Sequence, residues 1–259
     1  MRTAWSIPLL LALAAFACGA KGAPASRRAP GGPPPGSRPR KGAAARPFRA
    51  GEKLFYQIEW MNMSEAATAE LKVEPRRNFY GDPVWHFQAV AHTEDPLRLL
   101  MAVDDQFDSY CDAGTLVSRR YEMYLNEQGK RSVRKLALGG GSPGAERVSA
   151  PAGTRDPLAM LYRLRLVDWQ RTPRFGSPVY DGKHFYRLAA QLAAAHDSVI
   201  VPAGKFDASR IAITVSPRDQ AGEPMQFTLW LANDSARTPV EVDAQIRLGT
   251  IQGVLAQIE

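Results

Sequence analysis

The sequence predicts an all-β, mainly antiparallel fold: a curled sheet or open β-barrel of about 10–12 strands, with one helix near 156–167. Three observations predict it. Apolar and polar residues alternate with period 2 through most of the chain from Glu52 onward. Clusters of Gly, Asn, Asp and Pro interrupt that alternation at short intervals, as hairpin turns do. One segment, opening at Asp156-Pro157, switches to helical spacing. A sheet of this many twisted strands tends to close or curl.

In the first strand, Leu54, Tyr56, Ile58 and Trp60 share a face, with Lys53, Gln57 and Glu59 opposite and Phe55 as the exception. Ala67, Ala69, Leu71 and Val73 then alternate with Thr68, Glu70, Lys72 and Glu74. A turn over 78–83 leads to a strand over 84–91, with Trp85, Phe87 and Ala89 on one face. Strands over 102–110, 116–125 and 132–138 are separated by Asp112-Ala113-Gly114 and by the turn at 126–129. Asp156 is placed to cap a helix and Pro157 to fill its first position; Leu158, Leu161, Tyr162 and Leu164 form its apolar stripe to about Val167. That stripe must pack on the sheet or plug its open side. Strands over 183–191, 198–201, 209–215, 225–231, 240–247 and 250–258 complete the body. Val240, Val242, Ala244 and Ile246 against Glu241, Asp243, Gln245 and Arg247 require one wet and one buried face. Closure around a void would make a ligand cavity, and closure around packed side chains would not. Both remain open from sequence.

Charge divides the chain. Its 259 residues carry 33 Lys+Arg and 26 Asp+Glu, a formal +7. Residues 18–50 hold eight basic residues and no acid, and Arg2 is a ninth; residues 51–259 therefore carry 24 basic and 26 acidic residues, a net −2. The basicity belongs to an arm, which argues against nucleic-acid binding by the body. The two cysteines, Cys18 and Cys111, exclude a disulfide framework.

Residues 1–17 read as an export signal. Arg2 precedes an apolar run over 7–17, too short to span about 30 Å of hydrocarbon. Ala15-Phe16-Ala17-Cys18 resembles a lipoprotein box, with Ala15 where Leu is usual, and makes Cys18 the lipidation site. The same Ala15-Phe16-Ala17 fits simple cleavage after Ala17, which would leave a soluble periplasmic protein. Residues 18–50 are Pro, Arg, Gly and Ala with few large apolar side chains, the composition of a disordered tether. Its arginines suit anionic headgroups. Residues 51–259 form one domain. The expected location is the periplasmic side of the envelope, as an outer-membrane lipoprotein.

The opening Phe48-Arg49-Ala50-Gly51-Glu52-Lys53-Leu54-Phe55-Tyr56 resembles the start of the bacterial DUF3108 family. The Asp-Pro-led helix over 156–165, the Asp181-Gly182-Lys183 turn before Tyr186, Pro202-Ala203-Gly204-Lys205-Phe206, and the stretch from Phe227 through Arg237-Thr238-Pro239-Val240 to Gly249 match further features in order. Ser64-Glu65-Ala66-Ala67 departs from the family's Gly-rich pair. The resemblance implies an exported, mostly β protein without assigned activity, and it carries over no functional residue. The layout is also similar in architecture to open-barrel lipoprotein carriers, which does not transfer function.

Catalytic, metal and cofactor sites are not expected. Gly140-Gly141-Ser142-Pro143-Gly144 has the G-x-S-x-G spacing, but Pro143 lacks the N–H that an oxyanion hole takes from that position. His86 and His92 can share a face but lie roughly 20 Å apart along a strand, and His184 and His196 have no ligand spacing. Asp104, Asp105, Asp108 and Asp112 read as a solvated face or turn, with a calcium contact or a partner-facing patch as alternatives. Cys111 reads as a buried small residue. Trp60, Trp85, Phe87, Tyr186, Phe227 and Trp230, with Trp169, are core residues or the lining of an apolar cavity. The leading expectation is a tethered envelope protein that binds an apolar or amphipathic ligand, or a partner. A scaffold with a packed interior is the alternative, and an envelope hydrolase the third.

Overall fold

The computed structural model describes residues 46–60, 63–79, 82–139, 143–246 and 249–259. The signal, Cys18, the tether up to residue 45 and Ser142 lie outside these residues.

Thirteen strands form one sheet. In chain order they are β1 (Lys53–Trp60), β2 (Met63–Phe79), β3 (Asp82–Thr93), β4 (Asp104–Asp112), β5 (Ser118–Glu127), β6 (Lys130–Leu138), β7 (Glu146–Val148), β8 (Arg174–Tyr180), β9 (Phe185–Val201), β10 (Gly204–Pro217), β11 (Met225–Ala232), β12 (Pro239–Ile246) and β13 (Gly249–Ile258). Two helices interrupt them among the described residues, α1 (Leu97–Leu100) and α2 (Pro157–Arg165). The spatial order is β7-β6-β5-β4-β3-β2-β1-β13-β12-β11-β10-β9-β8. Two meanders therefore meet where β1 pairs with β13, and among the described residues β6–β7 is the only parallel pair of strands, beside an isolated parallel bridge of Arg155 with Val179. The predicted all-β, curled and open architecture is the one observed.

The edges β7 and β8 do not pair with each other, yet they are linked. Thr154 O accepts from Ser118 N at the start of β5, at 3.2 Å. The next residue, Arg155, exchanges backbone bonds with Pro178 O and Tyr180 N of β8, at 3.2 and 2.9 Å. Just beyond Tyr180, Arg134 Nη1 of β6 donates to Gly182 O at 2.6 Å. Two residues of main chain bonded to the start of β5, and one guanidinium from β6, thus tie the C-terminal end of β8 to the other half of the sheet.

Alternation becomes burial as expected. In β1 the residues at Leu54, Tyr56, Ile58 and Trp60 are buried and those between are half-buried. The helix begins where its cap predicts: Asp156 Oδ1 accepts from Ala159 N at 2.9 Å and Pro157 opens the first turn. All its residues except Arg163 are buried, so it is a core element rather than a surface one. Tyr162 stacks on Phe87 at 3.8 Å between ring centroids with planes 6° apart. The helix α2 packs on the sheet at β3, β4 and β8, and Phe48 covers Trp85 and Phe87 of β3.

The short α1 and β7 have no counterpart in the sequence expectation, and three larger features depart from it. β8 is not among the strands expected from sequence; its Gly176, Ser177 and Pro178 are common turn residues, and an edge position tolerates a proline that no central strand would. β9 is one strand of 17 residues where two were expected, and its hairpin with β10 bends at register shifts beside Arg210. Residues 46–50, which composition groups with the tether, lie against the body: Phe48 is 4% exposed and makes edge contacts with Trp85, Phe87 and Tyr162 at 5.0, 5.5 and 5.1 Å.

Candidate functional site

Sequence segments far apart converge on α2. Arg165, at its C-terminal end, is fully buried. It donates to both oxygens of Glu52 at 2.6 and 3.0 Å, to Pro47 O at 2.7 Å and to Ala236 O at 2.9 Å. Its guanidinium also lies 5.4 Å from the Phe48 ring and 5.2 Å from Tyr162. Arg237 Nη1 donates to Val167 O at 2.6 Å, placing a cation at the helix's negative end. Tyr56 OH donates to Pro239 O at 2.6 Å. At the N-terminal end, Asp156 accepts from the Ser109 and Ser118 hydroxyls, and burial pushes its carboxyl above the ordinary range despite those bonds. The entry of the arm, the start of β1, both ends of α2 and the β11–β12 turn are thereby one packed plug.

Beside the plug lies an open cleft of about 390 Å³. Asp168, Trp169 and Gln170 come from the segment after α2, His196 and Ser209 from the bend of the β9–β10 hairpin, and Leu231, Asn233, Asp234 and Arg237 from the β11–β12 turn. Trp169 and Leu231 are buried and supply apolar surface. His196 Nδ1 meets Asp207 at 3.0 Å, and Asn233 Nδ2 donates to Ala195 O at 2.9 Å. Ser209 Oγ donates to Asn233 Oδ1 at 2.7 Å. The hydroxyl is engaged by the amide rather than by the imidazole, so this is not a nucleophile–base pair. The cleft draws on three segments that no local pattern joins. Of its residues, Trp169, His196 and, in the family-like stretch, Arg237 are named from the sequence.

The aromatic candidates separate. Trp60, Trp85, Phe87 and Tyr186 are buried in the core. Phe227 is half-buried and packs against it. Trp230 is also half-buried, and its indole donates to Asp197 Oδ2 at 3.1 Å. None of these six lines the cleft.

The four aspartates do not make a common site. Asp104 and Asp108 share a face, as alternation implies. Asp104 accepts two bonds from Arg98, both 2.9 Å, and one from His92; those bonds hold it down at about 2. Asp108 is buried, but its bonds from His86, Gln106 and Gln88 outweigh that and keep its carboxyl below the ordinary value. Asp105 is 4% exposed and burial pushes it up to about 6. Asp112 caps the turn to Thr115. No group of metal-binding residues occurs among the described residues. Cys111 is buried, and burial raises its thiol well above the ordinary value.

A family model described as a protein of unknown function, DUF3108, matches residues 55–256. The chain belongs to the DUF3108 family. No curated protein matches it. Among solved structures it is similar to a beta-barrel-like protein of the DUF1849 domain of unknown function from Brucella abortus, with 12% identity, a TM-score of 0.55, and coverage of 83% of this chain and 98% of that one. Weaker matches are a candidate lipoprotein from Parabacteroides distasonis (12% identity, TM-score 0.42, 83% and 97% covered) and a candidate exported protein with a YmcC-like fold from Bacteroides fragilis (10%, 0.37, 83% and 98%). At such identity the Brucella likeness is one of fold alone. Several of the segments that carry the resemblance have a physical role. Glu52 and Arg165 lock the plug, Asp156 caps its helix, and Asp181 Oδ1 accepts from Lys183 N and His184 N, both 2.6 Å, to close the β8–β9 turn.

Proposed function

We propose that this DUF3108 protein is an exported, lipid-anchored envelope component that engages its target from the outside of a packed body, through the cleft beside α2. The observation that carries this reading is the cover that α2 and Phe48 make over β3 and β4. An apolar ligand inside the barrel would have to displace Phe48 and the Phe87–Tyr162 stack, both deeply buried. This moves the weight from an internal lipid cavity toward surface recognition. Anchoring through Cys18 is supported by its place after the apolar run, and outer-membrane attachment is the location that fits a long periplasmic tether. From Cys18 to the first described residue, Arg46, is 28 residues. At about 3.1 Å per residue for a Pro-rich chain, that spans up to about 90 Å. The arginines of the arm would lie near anionic headgroups at about 1 kcal/mol each.

Two measurements test this. Cys18→Ala should move the protein from the membrane to the soluble fraction, and labelled palmitate should enter the wild type and not the variant; wild type without label ends the lipoprotein reading. Phospholipid and a hydrophobic dye should leave the melting temperature of the purified protein unchanged. A saturable rise would return the ligand to the interior.

A further inference from the structure

The chemistry of the cleft narrows what it can hold. Its floor is carbon. Leu231 and Ala232 are buried, and Trp169 commits its indole N–H to Leu164 O at 3.2 Å, so only ring atoms are left for a ligand. Its rim is polar and mixed. Asp168 and Asp234 each present a carboxylate; one oxygen of Asp234 holds Arg237 N at 2.7 Å and the other has no hydrogen bond among the described residues. The side chain of Gln170, the Nε2 of His196 and the Nη2 of Arg237 are also without hydrogen bonds there, and Gln170 and His196 are exposed. Acceptors and donors therefore stand side by side. Charges of both signs adjoin as well: Arg171 lies 3.7 Å from Asp168, and Arg237 shares a turn with Asp234. A ligand of a single charge would meet its own sign within the same rim. Among the described residues four non-glycine residues have a left-handed φ, and one of them, Arg237, lies in the cleft. Arg237 holds a left-handed φ of 45°, a conformation that costs a non-glycine residue and that its bonds to Asp234 and to Val167 O maintain.

We infer that the cleft binds a neutral polyhydroxylated ring, one saccharide unit, free or within an envelope glycan; this rests on the proposed surface recognition. A hydroxyl donates and accepts at once, so it suits a rim where carboxylates alternate with guanidinium, imidazole and amide. The C–H face of such a ring suits the Trp169 and Leu231 floor. A volume of about 390 Å³ falls within the range of small-ligand sites. No bond is made or broken.

The test uses mature full-length protein in detergent micelles, observed by nitrogen-15 NMR. The probes are glucose and N-acetylglucosamine, with phenethylamine and acetate as singly charged controls. A saccharide should shift the Trp169 indole and Asn233 amide resonances saturably at millimolar concentration and leave the Trp60 indole unmoved. Gln170→Ala and Asp168→Asn should each weaken that response about tenfold without changing the melting temperature, because both side chains sit on the rim. Silence toward both saccharides, or a response to phenethylamine or acetate alone, overturns the ligand class. If a photocrosslinker at Gln170 then still captures an envelope component, surface recognition stands and only the saccharide fails; if it captures nothing, both fail.

Discussion

Glu52→Gln removes one charge from a pair that the fold has sealed from water. The carboxylate takes two bonds from Arg165, at 2.6 and 3.0 Å, and Arg165 has no exposed surface. The amide keeps the volume and one acceptor, so the loss is electrostatic. Removing one partner of a buried pair costs about 3–5 kcal/mol, because the other charge is left uncompensated. Here the guanidinium keeps the Pro47 and Ala236 carbonyls and the faces of Phe48 and Tyr162. We therefore expect the lower end, about 3 kcal/mol. At about 2–4 °C per kcal/mol for a domain of this size, the midpoint falls by about 6–12 °C. Urea unfolding followed by tryptophan fluorescence measures the free energy, and a thermal melt the midpoint. The double variant Glu52→Leu with Arg165→Met exchanges the pair for apolar packing and should recover most of the loss. A Glu52→Gln protein within about 1 kcal/mol of wild type, or a double variant no better than the single, refutes the plug as argued.

Three further outcomes follow from buried groups. Asp105 is pushed up from 3.8 to about 6 by burial, so between those values the folded protein holds a proton that the unfolded chain has released. Its contribution is most favourable below the ordinary carboxyl value and is lost as pH rises through about 6. Asp105→Asn should thus exceed wild type at neutral pH by up to about 3 kcal/mol, with the difference vanishing in acid; a constant difference across pH contradicts this. Cys111 should resist alkylation in the native protein and react at once in denaturant, and labelling under native conditions would show the thiol to be accessible. Gly182→Ala should lose about 1–2 kcal/mol in the same urea assay, since its φ of +102° suits glycine and an added Cβ would lie 2.6 Å from the Met123 methyl; an unchanged midpoint would mean the turn relaxes freely.

Strand periodicity made most of the sheet legible, and the Asp156-Pro157 cap located α2 to within two residues at its end. Where local chemistry was ambiguous the reading failed. Gly176, Ser177 and Pro178 have turn composition, and only the neighbour on one side makes them a strand. Phe48 is a lone aromatic in a Pro/Arg arm, so composition alone assigned it to the tether. Glu52 and Arg165 stand 113 residues apart and look like ordinary surface charges until the fold joins them. The cleft was hidden for the same reason: its three segments become neighbours only when the β9–β10 hairpin bends and α2 seats. Whether the interior was hollow was beyond periodicity, which reports which face is buried and not what buries it.

The most direct measurement of the central claim is photocrosslinking in intact cells from a benzoylphenylalanine placed in turn at Gln170, in the cleft, and at Leu100, 80% exposed on α1. Capture of one envelope component from Gln170, with none from Leu100, is the result predicted. Capture from Leu100 with silence at Gln170 would contradict it and move the recognition surface to α1.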